Sequence, residues 1–285
     1  MIRILTDSSA DLTAEQRAAL GVELLPLGVT FEDGSDFLDR VNLEPEEFYR
    51  RLEACTELPT TSQPAPGTMM AAFEEARDNG DELVVVLLSG ELSGTCQTAR
   101  VMAEQAGCEG VYVVDSLNAA MGLQLLVRLA VRLRDEGLTG AEIAARLNEE
   151  KTRVRLVAMV DTLKYLHKGG RLPGAVAVAG GLLGIKPIIA VREGKVKLAT
   201  QGRGLPGACT ALCKQIETEG GVDPEMELLL GYTADPTRYQ PIEKHVTEVL
   251  GLTAAGVSHV GPAIGTHIGP GAGGIAFFAA KTAEG

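Results

Sequence analysis

At 285 residues the chain has room for two ordinary domains, since one domain takes about 100–200 residues. It is 45% hydrophobic with 4% aromatic residues and no Trp, so its core is built from Ala, Val, Leu and Ile. A formal charge of −12, with no Lys/Arg run to offset it, excludes recognition of nucleic acid through the phosphate backbone.

From the N-terminus, RILT reads as a short apolar strand. Thr13 reads as the N-cap of TAEQRAAL, with Gln16 completing a capping box. VELLPLGVTF reads as one extended run and EPEEFYRRLEAC as a helix with Pro in its first turn. GTMMAAFEEARDNG is a helix closed by Asn-Gly, ELVVVLLS a fully apolar strand and LSGTCQTARVMAEQAG a helix. GVYVVDS is a strand and NAAMGLQLLVRLAVRLRDEG a long helix. Apolar strands alternating with helices predict a parallel sheet covered on both faces.

TGAEIAARLNEEKTRV is a polar helix that bridges to a second unit. There RLVAMVDT and EMELLLGYTA read as strands, and KPIIAVREGKVKLATQGR as a hairpin turning at Glu193-Gly194. ALCKQIETEG and PTRYQPIEKHVTEVL read as helices, the second despite Pro241. The pattern predicts an α/β chain of two domains. Residues 1–152 form a parallel-sheet α/β/α unit and residues 153–285 a mixed-sheet α+β unit.

No stretch has signal-peptide form, and no window has the roughly 18 uninterrupted apolar residues of a membrane span. The richest window, GAVAVAGGLLGI, is too short and too glycine-rich. Five cysteines without CxxC spacing suit a reducing cytoplasm. Cys209 and Cys213, four apart on a helix, read as core thiols, since no His or Cys partners complete a metal set.

Ligands of parallel α/β sheets gather beyond the carboxyl ends of the strands. Polar loops follow four strands here: TDSSAD, SGELSGT, DSLNAA and DTLKYLHKGGR. In SGELSGT, Ser93 is either a simple helix N-cap or part of an anion site at the helix start, with Gly94 and Thr95. PTTSQPAPG holds Thr61 and Ser62 on a rigid turn between prolines; an ordinary loop gives the same pattern. GPAIGTHIGPGAGG lacks a GK[ST] ending and is no nucleotide loop, but its glycines allow something to approach the chain near His267. Lys168-Gly-Gly-Arg171 is a cationic turn that reads equally as a solvated loop.

Taken in order, TDSSADL, PTTSQPAPG, LSGTCQTA, VVDSLNAAMGLQ, LKYLHKGGRLP, LLGIKPII and IGTHIGPGAGGIAFF resemble the DegV family, from Thr6 to Phe278. These are bacterial fatty-acid-binding proteins that act as the lipid-carrying subunit of a fatty acid kinase. The resemblance implies a long-chain fatty acid in a buried tunnel, with its carboxylate near the domain interface. Thr61, Ser62, Ser93 and the Gly94 backbone would then hydrogen-bond the carboxylate, with His267 close by, directly or through water. Arg171, with Lys168 beside it, would meet a separate ATP-dependent kinase subunit. That kinase turns the acid into acyl phosphate for phospholipid synthesis. The implied protein is a cytoplasmic carrier, not catalytic alone, with no cofactor or metal beyond the bound fatty acid. Cys96 stands where the family has Tyr and Ile268 where Thr is common, and both are expected to reshape the pocket.

The residues leave two rival chemistries. Ser93 with His267 is a nucleophile–base pair of an acyl hydrolase, although no orienting Asp is identifiable and Ser93 is outside a GxSxG elbow. A sugar phosphotransferase using the His lacks a carboxylate cluster for metal.

Overall fold

The computed structural model describes residues 1–172 and 184–281. The chain forms β1 (Ile2–Asp7), α1 (Ala14–Leu20), β2 (Val22–Leu25), β3 (Gly28–Thr30), β4 (Asp36–Leu38), α2 (Pro45–Ala54) and β5 (Thr60–Ser62). Then come α3 (Pro66–Asn79), β6 (Glu82–Leu87), α4 (Thr95–Ala106), β7 (Val111–Asp115), α5 (Ala120–Asp135), α6 (Gly140–Glu150) and β8 (Val154–Met159). The rest is α7 (Lys164–Lys168), β9 (Ile185–Arg192), β10 (Lys195–Arg203), α8 (Gly204–Thr218), β11 (Leu228–Tyr232), α9 (Gln240–Glu248), β12 (Gly256–His259), α10 (Pro262–Ile268) and β13 (Gly273–Phe278).

A four-stranded parallel sheet has the order β2-β1-β6-β7, and a six-stranded mixed sheet the order β10-β9-β8-β13-β11-β12. Strand periodicity sorts side chains between faces. In β6, Leu83, Val85 and Leu87 pack under α3 and α4 with Met69 and Phe73, while Val84 and Val86 face α5. In β8, Leu156 and Ala158 face α5, while Val157 and Met159 pack with Leu212 of α8 and Ile242 of α9. Helix α5 therefore lies between the two sheets. Twelve of its 16 residues are buried, as its run of Leu and Val around the whole circumference requires.

Local chemistry sets the element ends as expected. Thr13 Oγ1 accepts from Gln16 N at 3.2 Å, and Gln16 Oε1 accepts from Thr13 N at 2.9 Å. The hairpin between β9 and β10 turns on Glu193 and Gly194, both left-handed at φ 52° and 78°, which is the primed turn that matches strand twist.

Four expectations change. The run VELLPLGVTF is broken at Pro26, which has no N–H to continue a ladder. Its second half, β3, becomes the centre of a separate antiparallel sheet, β4-β3-β5. The helix expected from Pro236 is a 3₁₀ turn (Pro236–Arg238) followed by α9, with Pro241 in the first turn where its missing N–H costs nothing. The bridging helix α6 is amphipathic: Ile143 and Leu147 are fully buried against the α5 side of the first sheet. GPAIGTHIG contains a helix, α10, that its glycines concealed. The apolar window GAVAVAGGLLGI falls almost wholly outside the described residues. Among the described residues no helix is long and apolar enough to cross a membrane.

Candidate functional site

The loops that leave β1, β6 and β7 are tied together by buried polar groups. Asp7 closes β1, and its carboxylate accepts from Ser9 N at 3.0 Å and from Leu88 N, beyond β6, at 2.7 Å. Burial of this carboxyl raises its pKa, and those hydrogen bonds oppose the shift. Asp115, closing β7, accepts from Gly90 N at 3.2 Å and Leu117 N at 2.9 Å. The segment leading to Ser93 is thus fixed at Leu88 and Gly90.

Helix α4 starts at Thr95 with Gly94 as its N-cap, so Ser93 stands one residue before the capping position. Its hydroxyl accepts from Thr95 N at 3.3 Å and shares a proton with Thr95 Oγ1 at 2.8 Å. Gly94 lets the β5 segment come close: a Cβ there would sit 3.1 Å from Gln63 Oε1, which accepts from Thr98 Oγ1 at 3.0 Å. Strand β5 hangs on β3, with Thr61 opposite Val29 and Ser62 opposite Gly28, whose bare Cα makes room for the Ser62 hydroxyl.

His267 arrives from the C-terminal end of α10. Its Nε2 is 2.9 Å from Thr61 Oγ1, while Nδ1 is buried with no hydrogen-bond partner among the described residues. Burial, then the nearby Arg171 charge, lowers its pKa to about 4, so the imidazole is neutral at pH 7. Arg171 donates to the Gly169 carbonyl at 2.6 Å and the Leu92 carbonyl at 3.2 Å.

These residues surround the mouth of a cavity of ≈ 270 Å³. Thr61, Ser62, Ser93, Gly94, Arg171 and His267 all line it, and Ser62 and Gly94 are exposed. Most other lining groups are aliphatic, among them Leu88, Leu156, Ile189, Val191, Ile264 and Ile268. A row of small residues lines it across adjacent strands: Ala158 pairs with Gly274, and Gly274 with Gly231. Met121 of α5 lies over Gly231, where a Cβ would overlap its thioether. Within a single strand the glycines of LLLGYT and GGIAFF look unremarkable, and only strand pairing lines them up.

One expectation about the site is corrected. Cys96 does not line the cavity. At the second position of α4 it turns to the opposite face of the first sheet, packs with Leu87 and Met69, and its Sγ lies 3.5 Å from the Leu88 carbonyl. Burial pushes that thiol up to about 12. Arg171, expected at the partner contact, also lines the cavity, so the polar end carries a cation beside its hydroxyls. Ile268 does line the cavity. Ser93 and His267 make no bond to each other. Each instead meets a threonine hydroxyl, and no carboxylate bonds His267 Nδ1 as a triad requires.

A family model described as "Uncharacterised protein, DegV family" matches residues 1–280. The chain belongs to the DegV family. A DegV domain-containing protein of Deinococcus radiodurans is 35% identical over 281 residues, covering 96% of this chain and 97% of that one. One from Caldanaerobacter subterraneus is 32% identical over 276 residues, covering 97% and 98%. Among solved structures, a DegV family protein from Thermus thermophilus described for its fatty acid binding superposes with TM-score 0.87 at 31% identity, covering 97% of this chain and 99% of that one. DegV from Bacillus subtilis, a fatty acid binding protein, gives TM-score 0.83 at 28% identity, with coverage of 96% and 98%. The sheet order and the placing of helices in this DegV chain are therefore those of the family fold.

Proposed function

We propose that this chain carries one long-chain fatty acid, with the tail in the cavity and the carboxylate at its mouth. The observation that carries this reading is one cavity with an aliphatic interior and a cluster of hydroxyl, imidazole and guanidinium groups at its exposed end. The likeness to fatty-acid-binding relatives supports it. Aliphatic walls give waters in this cavity few hydrogen-bond partners. A tail gains about 0.8 kcal/mol per buried CH₂ in their place.

A carboxylate leaving bulk water needs several donors. The hydroxyls of Thr61, Ser62 and Ser93 and the amides at the start of α4 supply them. A neutral His267 protonated on Nε2 donates to Thr61 Oγ1, which turns the Thr61 hydroxyl proton toward the ligand. Arg171 balances the ligand charge. Two-domain construction with a boundary near residue 152 remains part of this proposal, the ligand lying between the parallel and mixed sheets.

The finer reading is that the carrier presents the carboxylate to a separate ATP-dependent kinase, which docks against Arg171 and the exposed Lys168. The kinase moves the γ-phosphoryl group of ATP onto a carboxylate oxygen, leaving ADP and acyl phosphate. The exposed mouth favours this over chemistry inside the cavity. Binding of palmitate by a Thr61→Ala/Ser93→Ala protein tests the first part: the reading requires at least about tenfold weaker binding, as for lost hydrogen bonds to a charge, and unchanged affinity refutes it. Acyl-phosphate formation with added kinase and ATP tests the second, and Arg171→Ala supporting full flux would overturn the docking role.

A further inference from the structure

Away from the cavity, three ionisable side chains converge where α10 begins. Asp11, Asp39 and Arg40 are 2%, 0% and 5% exposed. A Cβ placed on Gly261, the residue before α10, would be 2.8 Å from Asp11 Oδ1, 2.9 Å from Arg40 Nε and 3.0 Å from Asp39 Oδ1. Asp11 Oδ1 accepts from Gly261 N at 2.7 Å, and Arg40 Nη2 donates to the His259 carbonyl. The residue between them is held as well, because Tyr49 donates to the Val260 carbonyl at 3.0 Å. Three consecutive backbone groups are thereby fixed immediately ahead of the helix that carries His267.

This cluster is a poor device for stability. A buried ion set is often no better than apolar residues of the same volume. Among the described residues both oxygens of Asp39, Asp11 Oδ2 and Arg40 Nε have no hydrogen-bond partner, although the Ser8 hydroxyl and the Ala263 amide face Asp39 outside good hydrogen-bond geometry. Asp11 and Arg40 also adopt left-handed backbone, φ 57° and 61°, which disfavours side chains. Unpaired buried polar atoms and strained backbone persist where placement matters more than energy. Arg40 comes from the end of the small sheet, and Thr61 from another strand of it. The cluster thus joins the two pieces whose ends, Thr61 and His267, meet at 2.9 Å.

We propose that Asp11, Asp39 and Arg40 form a buried clamp on Gly261 that sets the position of α10, and through it the contact of His267 with Thr61 at the carboxylate end of the cavity. These are positioning residues, and the proposal rests on that end of the cavity receiving a carboxylate.

The clamp also holds a proton. Two buried carboxyls share one guanidinium, and Arg40 sits 3.5 Å from Asp11. Burial, then the Asp11 charge, pushes Asp39 up to about 8. Asp7 and Tyr49 face Asp11, Glu44 faces Arg40, and Arg17 faces both Arg40 and Asp39. Ionising Asp39 adds a negative charge beneath α10, of the same sign as the ligand.

The test compares palmitate with hexadecanol, the same chain with and without the charge, by displacement of a fluorescent fatty acid. Gly261→Ala is expected to weaken palmitate up to about tenfold and hexadecanol less than about twofold, the scale of one lost hydrogen bond. Equal losses, or none, overturn the clamp. In the parent, palmitate affinity is expected to fall as pH rises through about 8, and in Asp39→Asn that fall is expected to vanish. An identical fall in both proteins overturns the proton-holding clamp, and this arm decides if Gly261→Ala fails to fold. Thr61→Ala separates the two levels. If it leaves the acid–alcohol difference intact, the carboxylate reading itself fails. If it removes that difference and the clamp variants do not, only the clamp fails.

Discussion

Replacing Gly169 by Ala adds one methyl group against the Nδ1 edge of His267. Gly169 has φ −74° and ψ −7°, ordinary helical values, so alanine costs nothing in the backbone. The new Cβ would overlap His267 Nδ1, lie 3.2 Å from Cε1, and be blocked on another side by the Tyr165 carbonyl at 3.1 Å. Restoring van der Waals contact requires the ring to move by about 1 Å. A hydrogen bond held at 2.9 Å to Thr61 does not survive a displacement of that size. Losing it is worth about 0.5–1.5 kcal/mol, or roughly 2–13-fold in palmitate affinity, with hexadecanol unaffected. Fluorescence displacement measures this, and a double-mutant cycle isolates it. In a His267→Ala background the same methyl group meets no ring, and its cost should disappear. Full palmitate affinity in Gly169→Ala, or the same loss in both backgrounds, would refute the reasoning.

His267 has a second consequence. Its folded pKa lies below the ordinary 6.5, so only the unfolded chain takes up its proton between that value and about 4. Its contribution to stability is complete above about 6.5 and is lost as pH falls toward 4, and urea titrations of parent and His267→Asn across that window should diverge accordingly. Leu126, fully buried on α5 between the sheets, should cost about 2–5 kcal/mol when cut to Ala, read from the urea midpoint. Gly231→Ala should push the flexible Met121 thioether into the cavity and shift the retained fatty acid toward shorter chains, measured by mass spectrometry of extracted lipid.

Much of the architecture is legible along the chain because it rests on local rules. Continuous Val/Leu strands between capped helices specify the parallel sheet, and Thr13–Gln16 and Glu193-Gly194 place element ends to the residue. The hydroxyl loops were visible as clusters of small polar residues after apolar strands. What escaped depends on pairing between distant segments. The three-residue strands β3, β4 and β5 are too short for periodicity to register, and they hold one another in place. The groove along Ala158, Gly274 and Gly231 exists only once three strands are in register. The side on which Cys96 falls follows from α4 beginning at Thr95, a boundary the Ser93-Gly94-Thr95 run leaves open by a residue or two. Asp39 and Arg40 belong to no motif of the sequence, and only their burial against Gly261 makes them notable.

The central claim is that one fatty acid occupies this cavity. Protein purified from cells under native conditions, then denatured, extracted and examined by mass spectrometry, tests it most directly. A long-chain fatty acid is expected at about one per chain, reloaded on incubation with free acid after delipidation. Recovery of no fatty acid, together with no uptake of palmitate by the delipidated protein, would contradict it.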